Sequence, residues 1–130
     1  MRTNSTKKTT DQLVVELVQA IPTLVLTGSR YFGTSGPLSD WDFMLESGKE
    51  YLLPSDFELV REPRYTEVDH TVTSVYKSYL RNVHIQVVPN LQLKIRAQEL
   101  LKETGALIGV PKEIQKYVWK TVVMALEGYR

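Results

Sequence analysis

Apolar residues at Leu13, Val14, Leu17 and Val18 recur at the spacing of one helix face, and Thr9-Thr10-Asp11-Gln12 before them has the spacing of a capping box. A first amphipathic helix is expected over about Thr10 to Ala20, ended by Pro22. Leu24-Val25-Leu26 is a short continuous apolar run bounded by turn residues, the pattern of a buried central strand that meets Gly28 directly. A Gly/Ser/Pro loop from Gly33 to Pro37 follows. Asp40-Trp41-Asp42-Phe43-Met44-Leu45 then alternates polar and apolar positions as a strand with one wet face.

Pro54-Ser55-Asp56 reads as a helix start ahead of Phe57, Leu59 and Val60, with Pro63 closing that helix. Val72 to Leu80 returns to β-forming residues. Arg81-Asn82 can turn the chain into a second strand, Val83 to Val88, paired with it as a hairpin. Two helices complete the pattern, about Leu91 to Glu103 and Lys112 to Glu127, separated by Gly105, Gly109 and Pro111; Val118, Trp119, Val122, Val123 and Leu126 form the apolar face of the second. The expected order is α-β-β-α-β-β-α-α, an α/β (α+β) fold with a small mixed sheet and a C-terminal helical tail.

At 130 residues, with 42% hydrophobic and 24% charged positions, the chain has the composition of one globular domain. A polar basic tail is expected over residues 1 to 8. A single domain is expected over 9 to 130, its core in 11 to 90 and its terminal helices in 91 to 128. A formal net charge of +1 excludes a global basic field of the kind that coats nucleic acid. The charge is uneven, however. Residues 1 to 10 hold Arg2, Lys7 and Lys8 and no acid, residues 91 to 130 hold seven Lys or Arg against four Glu, and the stretch between them is acidic. An acidic centre suits a divalent cation and basic flanks suit phosphate, though solvated helix faces give similar patterns. The lack of cysteine removes disulfides and thiolate chemistry and fits a reducing compartment. No stretch approaches the roughly 20 apolar residues of a membrane span, and the first residues are not an apolar signal segment, so a cytoplasmic protein is expected.

Candidate chemistry gathers in residues 28 to 42. A strand that runs into Gly28-Ser29 and then into a helix leaves backbone N–H groups pointing forward, which suits an anion. Gly28 permits close approach, Ser29 adds a hydroxyl, and Arg30 adds positive charge for phosphate oxygens. Side chains two apart on a strand share a face, so Asp40 and Asp42 are expected to project together and hold Mg²⁺ or Mn²⁺, with nucleotide phosphates completing the coordination.

Gly28-Ser29-Arg30-Tyr31-Phe32-Gly33 followed by Ser39-Asp40-Trp41-Asp42-Phe43 resembles the DNA polymerase beta nucleotidyltransferase superfamily. In that family a third carboxylate lies on a later strand, in a segment to which Val83-His84-Ile85-Gln86-Val87-Val88-Pro89 is similar; the Asp position holds His84. The resemblance implies transfer of a nucleoside monophosphate from an NTP to a hydroxyl of an RNA, protein or small-molecule acceptor. It assigns metal binding to Asp40 and Asp42 with His84 as the third member, and phosphate binding to Gly28, Ser29, Arg30 and Ser39. It also implies a homodimer or a helical partner chain, and no templated synthesis, for which the chain has no room.

Several alternatives stay open. Imidazole can ligate a metal or act as a base, with nitrogen suiting Mn²⁺ or Zn²⁺ better than Mg²⁺, or it can be a satisfied structural group in a domain that binds nucleotide, or occupies a partner as an antitoxin does, without turnover. Ser39 either caps its loop or touches substrate. His70 reads as structural, Trp41 and Phe43 as core, and the tyrosines from Tyr65 to Tyr79 as strand formers.

Overall fold

A computed structural model describes residues 8–61 and 74–128. Its first helix, α1 (Thr10–Ala20), begins as the capping box dictates: the Gln12 N–H donates to Thr9 Oγ1 at 3.1 Å, and the Thr9 N–H donates to Gln12 Oε1 at 2.8 Å. Strand β1 (Val25–Thr27) runs directly into a single short helix α2 (Gly28–Phe32), and β2 (Trp41–Glu46) follows the Gly/Ser/Pro loop. Next come a 3-10 turn at Glu50–Leu52, β3 (Glu58–Arg61), β4 (Ser74–Ser78), β5 (Val83–Val88), α3 (Leu91–Thr104) and α4 (Lys112–Leu126).

Among the described residues the strands form one five-stranded mixed sheet in the order β1-β2-β5-β4-β3. Its centre is the parallel pair β2 and β5; the other pairings are antiparallel. The expected hairpin is present as β4–β5, turning through Asn82, whose φ of 55° is of the kind asparagine tolerates. Val72, Thr73, Pro63, Tyr65 and His70 lie outside the described residues.

Strand alternation sends the two faces of the sheet to different partners. Phe43 and Leu45 of β2 and Val83 and Ile85 of β5 pack with Val14, Leu17 and Ile21 under α1, and Trp41 borders this core as expected. On the opposite face Met44 and Val88 meet Leu91 and Ile95 of α3. Asp42, His84 and Gln86 belong by alternation to that second face, at its polar end. Two long-range bonds fix α3 there: Gln98 Nε2 donates to the Leu26 carbonyl at 2.9 Å, and Lys102 Nζ to the Tyr31 carbonyl at 2.7 Å. No helix among the described residues is long and apolar enough to cross a membrane.

The helix expected from Pro54 is not formed. The chain makes a turn at Pro54, with the Phe57 N–H donating to the Pro54 carbonyl at 3.1 Å, and then enters β3, which pairs with β4. The reason is tertiary. Asp56, part of the expected helix start, is instead taken by Arg81, whose Nε and Nη2 reach its two oxygens at 2.9 and 3.2 Å while Nη1 donates to the Leu13 carbonyl at 3.0 Å. Ser78 Oγ adds a bond to Asp56 at 2.5 Å. This network joins α1, the 54–57 turn and the β4–β5 hairpin. Partial burial disfavours the charged carboxylate, but the bonds from Arg81 and Ser78 and the Arg81 charge outweigh that and hold Asp56 below its ordinary range.

With the two side chains only 13% and 24% exposed, Arg81→Ala is expected to cost about 2 kcal/mol, a fall in melting temperature of roughly 5–10 °C. Because the folded carboxyl is depressed, this contribution is present above pH ~4 and lost as pH falls through the folded pKa. Thermal melts at pH 7 and in progressively more acid solution check this: the gap between wild type and variant narrows as Asp56 is protonated, and a gap that is the same at every pH would refute the assignment.

Candidate functional site

Three elements bring the chemistry together. The end of β1 delivers Gly28 and Ser29, the start of β2 delivers Asp40 and Asp42, and the parallel register sets His84 of β5 directly beside Asp42. One ligand atom from each of Asp40, Asp42 and His84 lies within 4.8 Å of the others, and this is the one such trio of acidic or histidine side chains among the described residues. His84 Nδ1 lies 2.5 Å from Asp40 Oδ2 and 3.6 Å from Asp42 Oδ1. The shorter contact is a hydrogen bond between the imidazole and the Asp40 carboxylate.

Asp42 is the electrostatically stressed member. Burial, and after it the charge of Asp40, push its carboxyl up to about 6, against opposing pulls from His84, Lys112 and Lys77. A buried carboxylate beside a second one, with an imidazole in reach, is a donor set that a divalent cation stabilises.

Gly28 has a more specific role than close approach to an anion. Its φ is +72°, and a Cβ built there would sit 2.5 Å from Asp42 Oδ2. Only glycine leaves the carboxylate its place. Gly28→Ala is expected to destabilise the fold by about 2–3 kcal/mol through strain and overlap, and to weaken Mn²⁺ binding at least tenfold by displacing Asp42. Thermal melts with a parallel Mn²⁺ titration check this; unchanged Mn²⁺ affinity would show that the carboxylate finds another position at no loss.

Asp40 and Asp42 open on a cleft of about 730 Å³, while His84 stands behind them and is not among its lining residues. Gly28, Ser29, Asp40 and Asp42 line one side, and Lys112, Gln115, Lys116 and Trp119 of α4 line the other. Ser39 is at the rim, where its Oγ accepts from the Gly36 N–H at 2.9 Å, so it closes the loop and also faces the cleft.

Arg30 goes elsewhere. Its Nη2 donates to the Ser39 carbonyl at 2.7 Å and its guanidinium lies 4.2 Å from the centroid of the Trp41 ring. Stacking on that ring directs its charge to fastening the loop before β2, and it is not among the described residues lining the cleft. Lys112 and Lys116 line the cleft together with the aspartates, and the charges of Lys112 and Lys77 act on Asp42. The sequence signal for them was the spacing of Lys112, Lys116 and Trp119 along one helix face, obscured by the apolar pattern of the same helix.

No family model, no curated protein and no solved structure matches this chain.

Proposed function

We propose that this chain is a metal-dependent nucleotidyltransferase of the DNA polymerase beta type, moving a nucleoside monophosphate from an NTP to a hydroxyl of an RNA, protein or small-molecule acceptor. The observation that supports it is the convergence of Asp40, Asp42 and His84 within 4.8 Å, with the two aspartates lining the same cleft as Gly28 and Ser29. Two carboxylates and an imidazole fit a divalent cation, and the nitrogen donor favours Mn²⁺ over Mg²⁺. When bound, such an ion acidifies the attacking hydroxyl and offsets charge on the departing pyrophosphate.

In this reading the chain's own groups have distinct duties. Asp40 and Asp42 hold the cation. Ser29 donates its hydroxyl to a phosphate oxygen. His84, through its 2.5 Å contact, orients Asp40 and lies within reach of a transferred proton. The acceptor oxygen forms a bond to the α-phosphorus as the bond to pyrophosphate breaks, and the acceptor's proton passes to the Asp40–His84 pair. A cysteine-free chain suits a reducing compartment, and we assign the activity to the cytoplasm on that ground.

A second reading is favoured by the imidazole itself. In a domain that binds nucleotide or a protein partner without turnover, the His84–Asp40 bond is simply the satisfied end state of a lost site. Labelled NTPs mixed with the protein, RNA and candidate protein acceptors in Mg²⁺ or Mn²⁺ separate the two. Label transfer by the wild type supports the enzyme, nucleotide binding without transfer supports the module, and absence of nucleotide binding overturns the enzyme and leaves the module a protein partner alone.

A further inference from the structure

Helix α4 packs along α3, which itself covers the second face of the sheet, so the first turns of α4 overhang the Asp40–Asp42 end of that face. Lys112, Lys116 and Trp119 are spaced four and three residues apart and therefore share a side of the helix, and all three line the cleft. Among the described residues, Lys112 and Lys116 are the cationic side chains on its wall.

Two features separate this pair from an ordinary solvated face. Lys112 is the first residue of α4, at the positive end of the helix dipole, where acidic side chains are preferred, and no side chain caps that end. A cation there runs against local preference, as residues retained for a site commonly do. Among the described residues Lys116 has only a distant ring contact, with Nζ 5.7 Å from the Tyr117 centroid, so little there holds its ammonium in place.

The charges suit one ligand chemistry. A divalent cation on Asp40 and Asp42 offsets those carboxylates and leaves the two lysines facing them, an environment that calls for several negative oxygens in a row. We propose that Lys112 and Lys116 grip the phosphate chain of the nucleoside triphosphate opposite Asp40 and Asp42, making α4 the second jaw of the nucleotide site. The assignment rests on the nucleotidyltransferase reading and adds the residues, and the polarity, of nucleotide binding. Phosphates lie toward the start of α4, and the nucleoside lies toward Trp119, which is about 10 Å along the helix from Lys112.

Trp119 supplies the readout. Binding of Mn²⁺-ATP, with GTP, CTP and UTP in parallel, is followed by intrinsic fluorescence in the full chain, and inorganic tripolyphosphate is used as a competitor that carries phosphates and no nucleoside. Lys112→Ala and Lys116→Ala are each expected to weaken both NTP and tripolyphosphate binding about tenfold, and the double variant about a hundredfold, with melting temperatures unchanged. Lys8→Ala, which removes the same charge near α1, is expected to bind as the wild type does. If the wild type binds NTP and the lysine variants bind it equally well, the jaw assignment is overturned while the nucleotidyltransferase reading stands. If Lys8→Ala weakens binding as much, the effect is one of net charge and the assignment fails. If the wild type binds none of the four NTPs, the functional reading itself fails, and the jaw with it.

Discussion

Asp42→Asn is expected to abolish nucleotide transfer, by a factor of about 10³ or more, and at the same time to raise the melting temperature of the metal-free protein above pH 6. The two effects have one cause. Burial and the neighbouring Asp40 raise the Asp42 carboxyl to about 6, above its ordinary value of 3.8. Across the interval between those values the folded chain holds a proton that the unfolded chain has released, so stability falls as pH rises through it. Above pH 6 the protein carries the full cost of a charged, mostly buried carboxylate. At about 1.4 kcal/mol per pKa unit the shift corresponds to about 3 kcal/mol, which we reduce to about 1–2 because the side chain remains 22% exposed and partly screened.

Asparagine removes that cost and the metal charge balance together. Calorimetric melts at pH 5 and pH 8, with and without Mn²⁺, give the check. The variant should gain on the wild type at pH 8 and about half as much at pH 5, while Mn²⁺ should raise the wild-type melting temperature and not the variant's. A variant that transfers label like the wild type would remove Asp42 from the chemistry altogether.

His84→Asp is expected to move the metal preference from Mn²⁺ toward Mg²⁺, raising Mg²⁺-supported transfer tenfold or more. Mg²⁺ strongly prefers oxygen donors, and the substitution offers one where the parallel register places the imidazole next to Asp42. A third carboxylate beside two others also costs the metal-free fold about 1–2 kcal/mol, so the variant should melt earlier without metal and respond more steeply to it. Transfer assays in Mg²⁺ and Mn²⁺ side by side decide the role of the residue. A wild type that is silent in both metals, beside a variant that transfers label in Mg²⁺, identifies a site whose turnover was lost at this position. No change of metal preference would make the imidazole a structural group.

The elements governed by local rules were legible in the sequence. The capping box at Thr9 fixes where α1 begins, and β5 occupies the span its alternation marks out. Trp41 and Phe43 turn from the aspartates because a strand leaves them no alternative. What local rules do not carry is the partner. Glu58 to Arg61 became a strand because β4 offered an edge, and Asp56 was claimed by an arginine 25 residues away. Arg30 looked like a phosphate ligand by its place after Gly28-Ser29, and packing on Trp41 redirected it. Lys112 and Lys116 lie far along the chain, and they line the same cleft as the aspartates through the packing of α4 on α3, which spacing within α4 cannot specify. The need for glycine at position 28 was legible as a turn, but its steric reason depends on where Asp42 sits.

The parallel pairing of β2 with β5 bears on folding as well as on chemistry. Asp40 and His84 are 44 residues apart, and the chain between them must run out through β3 and back through β4 before the two can meet. The helix α1 and the β4–β5 hairpin rest on short-range contacts, whereas the central parallel pair closes a long loop and is entropically the costliest union in the sheet. The cluster of Asp40, Asp42 and His84 therefore belongs to the completed topology. A chain with every helix and hairpin in place but its central strands still apart does not bring the three side chains together.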